Sequence, residues 1–283
     1  MKKKVPFILL ITLITIVVFL FIQNNFISIT NIELQMAALP RSFDGFKIVH
    51  LSDLHSKKFG NDQQSLVSKI KKAKPNLILF TGDLVDSKHY VEENSLMLIK
   101  EIVKIAPVYF VTGNHEKWSG NFHDLEQKLI VQGVKILRND SVKIKRSEDE
   151  IQLIGIDDPS FNDDMPYAYD SNIATRELEK VLAKGNQSTF NILLSHRPEL
   201  FSTYANSDID LTFSGHAHGG QIRLPFIGGL IAPNQGFFPK YANGKYTQKN
   251  SVMIVSRGLG NSIIPQRIFN RPQIIVATLK KSS

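Results

Sequence analysis

The chain has 283 residues, 42% of them hydrophobic and 21% charged, which suits one large domain or two ordinary ones with a real core. It contains no cysteine, which excludes disulfides, thiolate metal sites, a lipoprotein anchor and a cysteine nucleophile. The formal net charge of +8 admits nucleic acid, anionic lipid or an anionic substrate, although Lys2, Lys3 and Lys4 have an explanation of their own.

Residues 5–22 read VPFILLITLITIVVFLFI and carry no charge. As a helix that run spans about 27 Å, close to the hydrocarbon thickness of a bilayer. Lys2, Lys3 and Lys4 precede it, so the positive-inside rule places the N-terminus in the cytoplasm and the body outside. A cleaved signal has a shorter apolar core of about 7–15 residues and a small-x-small site after it. Here Gln23, Asn24 and Asn25 come instead, and an uncleaved single-pass anchor is expected. A buried core helix would carry a polar face, and this run offers only Thr12 and Thr15.

Residues 26–36 alternate polar and apolar side chains and read as a strand, and the turn-rich LPRSFDGF links it to the body. Strands are expected at 46–52, 76–82 and 107–113, with helices near 63–73, 92–105 and 122–132 between and after them. VKI, SVKIKR and IQLIGID are short strands, and a helix covers about 172–184. FNILLS (190–195) and IDLTFSG (209–215) are buried strands, and SVMIVSR and QIIVATLK add two more. The alternation indicates an α/β body from about residue 31 to 283, without internal repeats. Residues 1–25 form a tip and anchor, 26–45 a linker and edge strand, and 46–283 the main domain.

The chemistry lies at the carboxyl end of each apolar strand. IVHLSDLH ends in Asp53 and His55, LILFTGDLVD in Asp83, and VYFVTGNHE in Asn114 and His115. ILLSHRP ends in His196, and LTFSGHAH in His216 and His218. A single aspartate after a strand is usually a cap or turn former. Five such ends, each preceded by Ser or Gly, are hard to assign to capping, and the carboxyl edge of an α/β sheet is where ligands bind. Carboxylate, amide oxygen and imidazole without thiolate suit Mn²⁺, Fe or Zn²⁺, with Mn²⁺ ranked first. Seven donors exceed the three that one catalytic zinc takes. Two divalent ions sharing one carboxylate account for the number. His216 and His218 then serve different ions. Glycines at 82, 113 and 215 are expected to turn the backbone sharply and let it approach a ligand.

Together, SDLH, GDLVD, GNHE, SHRP and GHAHGGQ, spread over residues 52–221, resemble the five blocks of the calcineurin-like metallophosphoesterases. FDGFKIVHLSDLH, IDDP, SHRPE and GHAHGGQIRLP carry a narrower likeness to the family's bacterial membrane-associated branch. That branch includes cell-wall-associated phosphoesterases and UDP-2,3-diacylglucosamine pyrophosphatase-like enzymes. The resemblance implies a four-layer α/β/β/α sandwich. It implies that one metal takes Asp53, His55 and His218, that the other takes Asn114, His196 and His216, and that Asp83 bridges. It also implies that His115 protonates the leaving alkoxide or orients the phosphoryl group, and that metal-activated hydroxide hydrolyses a phosphoester. Gln273 departs from the family, whose members often place an acid there.

The leading reading is a membrane-anchored phosphodiesterase or pyrophosphatase acting on a lipid or cell-envelope substrate. A phosphomonoesterase or protein phosphatase uses the same ligands, and a metal-stabilised binding module is the non-catalytic rival. Nucleic acid is not expected as a partner, because the positives are scattered and no aromatic-basic stripe accompanies them. Oligomeric state is left open. Asp157 and Asp158 either support the site or form a turn. Glu116 reads as a helix-start residue, Arg197 as a phosphate contact or a surface group, and His50 as packed in its strand. His89 and His123 read as solvated or capping. Phe226, Ile227, Leu230, Ile231, Phe237 and Phe238 form either an exposed apolar rim or a cluster packed under a loop.

Overall fold

A computed structural model of the chain describes residues 4–163, 170–183, 190–261 and 264–282. It opens with α1 (Lys4–Asn25), then β1 (Ser28–Met36) and β2 (Lys47–Leu51). Strands and helices then alternate: α2 (Gln64–Ala73), β3 (Leu77–Thr81), α3 (Glu92–Ile102), β4 (Val108–Val111), α4 (Asn114–Trp118) and α5 (Phe122–Val131). The second half runs β5 (Lys135–Ile136), β6 (Asp140–Arg146), β7 (Asp149–Gly155), α6 (Asp170–Leu182), β8 (Phe190–Leu194), α7 (Phe201–Asn206) and β9 (Leu211–Ser214). Two small hairpins come next, β10 (Arg223–Leu224) with β11 (Gly228–Gly229) and β12 (Ile231–Ala232) with β13 (Gly236–Phe237). β14 (Gly244–Gln248), β15 (Ser251–Val255) and β16 (Gln273–Lys281) complete the chain.

The strands build two six-stranded sheets, ordered β1-β16-β2-β3-β4-β5 and β14-β15-β9-β8-β7-β6. The buried faces define three apolar layers. Ile48, Leu79 and Val111 of the first sheet meet Leu153, Ile192 and Phe213 of the second. The first sheet's other face packs on Leu66, Ile70, Leu98, Ile99, Leu125 and Leu129 from α2, α3 and α5. The second sheet's other face packs on Leu178 and Val181 of α6 and Phe201 and Tyr204 of α7. This is the α/β/β/α sandwich. Central strands such as LILFT and FNILL are buried at every position, as strands covered on both faces must be.

Strand direction and order come from the structure alone, and two helix bounds differ from the sequence expectation. The sheets are mixed: β16 runs parallel to β1 but antiparallel to β2, because the last strand inserts between the first two. α3 stops at Ile102, three residues short, ahead of Pro107, and α6 begins at Asp170. The far end of the expected 172–184 helix, Lys184, lies outside the described residues, as do Lys2 and Lys3.

α1 differs from every other described helix. Only 6% of its most apolar stretch is buried, and Phe7–Asn25 is long and apolar enough to cross a membrane. Thr12 and Thr15 return their hydroxyls to the carbonyls of Ile8 and Ile11, so both hydroxyls of the helix are paired within it.

Candidate metal centre

β2, β3 and β4 of one sheet and β8 and β9 of the other all end at the same place. Backbone bonds tie the loops together: Asp53 N–H donates to Gly82 O, His55 N–H to Asp83 O, and Gly215 N–H to His196 O. Three groups of potential donors result, each with its atoms within 4.8 Å of one another: Asp53, His55, Asp83 and His218; Asp83, His196 and His216; and, less buried, His55, Asp86 and His115. The first two are the donor groups that the sequence points to. Asp83 is common to both of these. Its Oδ2 lies 3.5 Å from His55 Nε2 and 3.1 Å from His196 Nε2, while its Oδ1 accepts the His115 N–H. His218 Nε2 stands 3.3 Å from Asp53 Oδ1 and 3.1 Å from His55 Nε2, and His216 Nδ1 stands 3.1 Å from His196 Nε2. Asn114 begins α4 beside them.

The backbone is strained where these side chains attach. Asp53, His55, Asp83, His216 and His218 all have φ between 47° and 64°, a region that side chains with a Cβ seldom enter. Such a concentration marks a place where direction matters more than backbone energy. The glycines play two different roles. Gly82 does turn through φ +80°, as expected, but Gly113 and Gly215 have no positive φ. They are needed for space: a Cβ on Gly215 would sit 1.9 Å from Ser52 Oγ and 2.5 Å from Asp53 Oδ2, and one on Gly113 would sit 2.3 Å from Asp83 Oδ1.

Neighbouring groups fix which nitrogen His196 and His216 present. His196 Nδ1 bonds to Thr81 O at 2.7 Å, which leaves Nε2 facing the site. His216 Nε2 bonds to Asn234 Oδ1 at 3.0 Å, which leaves Nδ1 facing it. Asp86 Oδ2 lies 3.3 Å from His55 Nδ1, on the far side from the donor group. Asp86 closes the GDLVD block but is not among the donors read from it, and Asn234 carries no site signal in the sequence, because each acts across a turn that spacing does not reveal.

Glu116 does more than start a helix. It is buried, and its Oε2 accepts the Asp83 and Gly113 N–H groups at 2.8 and 2.7 Å while Oε1 accepts that of Leu84 at 2.8 Å. One carboxylate thus clamps the GDL loop to the GNHE loop. Burial and the Asp83 charge push it up to about 7, against the pull of the amides. Glu116→Ala is expected to leave three buried amides unpaired and let Asp83 drift. Mn²⁺ affinity, measured by calorimetric titration, should fall about 10–100-fold.

Arg197 is not a surface group. It is 5% exposed, and it forms a two-pronged ion pair with Asp158, Nη2 to Oδ1 at 2.9 Å. Asp157 instead accepts from Thr112 Oγ1 and from Arg138. His50 is buried and bonded to Thr81 Oγ1, and His89 and His123 are exposed. Gln273 accepts Arg257 N–H and donates to Thr30 Oγ1.

The electrostatics suit cations. Burial would raise Asp83, but His196 and His55 hold it well below the usual carboxylate range. Burial lowers His216 and His218 well below their ordinary value, so both present lone pairs at neutral pH. Burial alone would lower His196 as well, yet the Asp83, Asp53 and Asp158 carboxylates raise it to about 10. That site calls for positive charge. Asn114 Oδ1 and His218 Nδ1 are buried without a hydrogen-bond partner among the described residues. Hard oxygens, imidazoles, a shared carboxylate and an orphaned amide oxygen fit a pair of divalent ions.

The family model for calcineurin-like phosphoesterases matches residues 46–220, a span that contains every donor named above. The chain belongs to the calcineurin-like phosphoesterases. The enzyme is 28% identical over 268 residues to the uncharacterized metallophosphoesterase YkuE of Bacillus subtilis, covering 93% of this chain and 89% of that one. It is 29% identical to a transmembrane protein with metallophosphoesterase domain from Danio rerio, covering 90% of this phosphoesterase and 57% of that longer protein. A crystal structure of a dimetal phosphatase from Danio rerio shares 12% identity and a TM-score of 0.46, covering 76% of this chain and 88% of the other. A likeness of that size bears on neither metal nor substrate. Family membership makes the protein a metal-dependent phosphoesterase.

Proposed function

We propose that this phosphoesterase holds two divalent ions and hydrolyses a phosphodiester or pyrophosphate bond of a lipid or cell-envelope substrate. In this reading residues 1–25 anchor the chain in the membrane with the N-terminus inside, 26–45 link and edge the sheet, and 46–283 form the catalytic domain outside. Asp53, His55 and His218 would hold one ion, Asn114, His196 and His216 the other, and Asp83 both. The observation that supports it most is the single Asp83 Oδ2 standing between His55 Nε2 and His196 Nε2. Mn²⁺ is the first choice of ion on donor chemistry, ahead of Fe and Zn²⁺. Bound there, such ions would supply Lewis acidity to the phosphoryl group and make water acidic at neutral pH.

The chain's own residues do the rest. A cavity of about 360 Å³ opens over the donors, bounded by Asp83, Asn114, His115, His216 and His218, with Trp118 and Pro233 as apolar walls. That volume is enough for a phosphoryl group with substituents on both sides. His115 Nδ1 accepts the Ser87 N–H at 3.0 Å. The neutral ring therefore carries its proton on Nε2, from which it can donate a hydrogen bond to a phosphoryl or leaving-group oxygen, while a proton given to a departing alkoxide would come from the doubly protonated ring. Burial lowers the His115 pKa, which strengthens it as an acid when protonated and keeps it neutral otherwise.

The test is hydrolysis of bis(p-nitrophenyl) phosphate beside p-nitrophenyl phosphate with Mn²⁺. His115→Ala should lower kcat about 10²–10⁴-fold with little change in metal content. Equal turnover by His115→Ala would remove its role. Activity on the monoester alone would turn the reading to a phosphomonoesterase.

A further inference from the structure

The segment after the last histidine poses a question that catalysis does not absorb. Leu230 and Ile231 are partly covered, but Phe226 is fully exposed, Phe237 is 72% exposed, and Ile227 and Phe238 are 62% exposed. Four large apolar side chains on two short hairpins are mostly exposed to water, more than a monomer's surface normally gathers on so short a stretch. Two of them sit at positive φ, Phe226 at 66° and Phe238 at 53°, where a soluble turn would place Gly or Asn.

Contacts join these hairpins to α1. Phe19 of α1 meets Phe269 edge to face, with ring centres 5.4 Å apart. Gln266 Nε2 donates to Leu20 O, Arg267 N–H to Asn24 Oδ1, and Lys57 Nζ to Asn24 O. Next to Phe269, Ile268 forms a bridge with Ile222, and Arg223 N–H donates to Ile268 O. The first hairpin starts there, so Phe226 lies at most about 14 Å along the chain from that bridge. Phe238 N–H then donates to Leu230 O, which joins the second hairpin to the first. Lys240 and Arg271 are exposed along the same segments. The turn of the second hairpin carries Pro233 and Asn234 into the catalytic cavity.

We infer that Phe226, Ile227, Phe237 and Phe238 form a platform that dips into the membrane leaflet from which α1 emerges, so that the cavity opens at headgroup depth onto a bilayer-borne phosphoester. The inference rests on the reading of α1 as a membrane anchor. The bilayer is the occupant because the apolar helix ends on the same surface and cations flank the aromatic side chains, as at an anionic interface.

The chain has no cysteine, so single labels can be placed cleanly. The full chain would be reconstituted into vesicles of phosphatidylethanolamine and phosphatidylglycerol, as Phe226→Cys, Phe237→Cys, Ile14→Cys and Val131→Cys, each carrying an environment-sensitive fluorophore. Ile14 lies in α1, and Val131 is 87% exposed beside the opposite edge of the first sheet. Lipids with acyl-chain quenchers should quench labels at 226 and 237 at least two-fold more than at 131. Labels at 226 and 237 that match 131 while 14 is quenched would overturn the platform and spare the anchor. A label at 14 that also escapes quenching would remove both. Shielding at 226 that grows with chain density, without acyl-chain quenching, would assign the patch to a second copy and overturn the inference. As a catalytic check, Phe237→Ser with Phe238→Ser should leave turnover of soluble bis(p-nitrophenyl) phosphate within two-fold of the parent.

Discussion

Asp83→Asn is expected to lower turnover of bis(p-nitrophenyl) phosphate by about 10³-fold or more and to leave the fold in place. One oxygen decides the effect. Asp83 Oδ2 serves both donor groups, so an amide there removes the negative charge each ion would share. A metal's stabilisation of transition-state charge is worth several kcal/mol. Losing about 4 kcal/mol of it is a factor of about 10³ in rate. The isosteric amide can still accept the His115 N–H through its oxygen, so the loop keeps its bond. Without Asp83 the proton on His196 also loses its main support, and that ring should become a neutral base. His218→Ala, which touches only the first donor group, should remove one ion and leave the other. Equal metal content in Asp83→Asn and the parent would contradict the shared role.

Arg197→Ala is expected to cost about 3–5 kcal/mol of stability, the usual result of leaving one half of a buried ion pair behind. Asp158 is 2% exposed, accepts both prongs of Arg197 and also holds Ser160 N–H. Burial would raise its pKa, but the Arg197 charge holds it at about 2. A carboxylate depressed in the folded state contributes stability above its unfolded value of about 3.9 and loses it as pH falls through about 2. The parent should therefore lose this contribution between about pH 4 and pH 2, and the loss should be absent from Asp158→Leu. Urea unfolding at pH 7 measures the first claim. The double variant Asp158→Leu with Arg197→Met should recover part of the loss, because Asp158 is then no longer left uncompensated, although Glu199, 3.5 Å from Arg197 Nη1, still loses its partner. Losses that simply add would show that the two side chains act separately.

Much of the frame can be read from residues alone. Runs such as LILFT and FNILL are continuous apolar strands, and the polar group ending each run names the sheet edge. The donors are legible for the same reason, since each comes within a few residues of its strand. The layering is harder. Nothing in QIIVATLK says that β16 slips between β1 and β2, because that choice is made by partners more than 200 residues away. The roles of Glu116 and Arg197 escape a sequence reading for a related reason. A sequence shows that a carboxylate can cap a helix, but not that it will meet amides at 83 and 84. It shows that an arginine succeeds a histidine, but not that a buried aspartate 39 positions earlier awaits it. The apolar rim is ambiguous in sequence because hydrophobicity alone does not separate a side chain under a loop from one above it.

The most direct test of the central claim is the number of ions bound per chain. The full-length protein would be purified in a mild detergent, equilibrated with Mn²⁺, freed of loose metal and analysed by plasma mass spectrometry beside Asp83→Asn. Two ions per parent chain, with at most one in the variant, is the predicted result. One ion or none in a folded parent that still hydrolyses the diester would contradict a two-metal site built around Asp83.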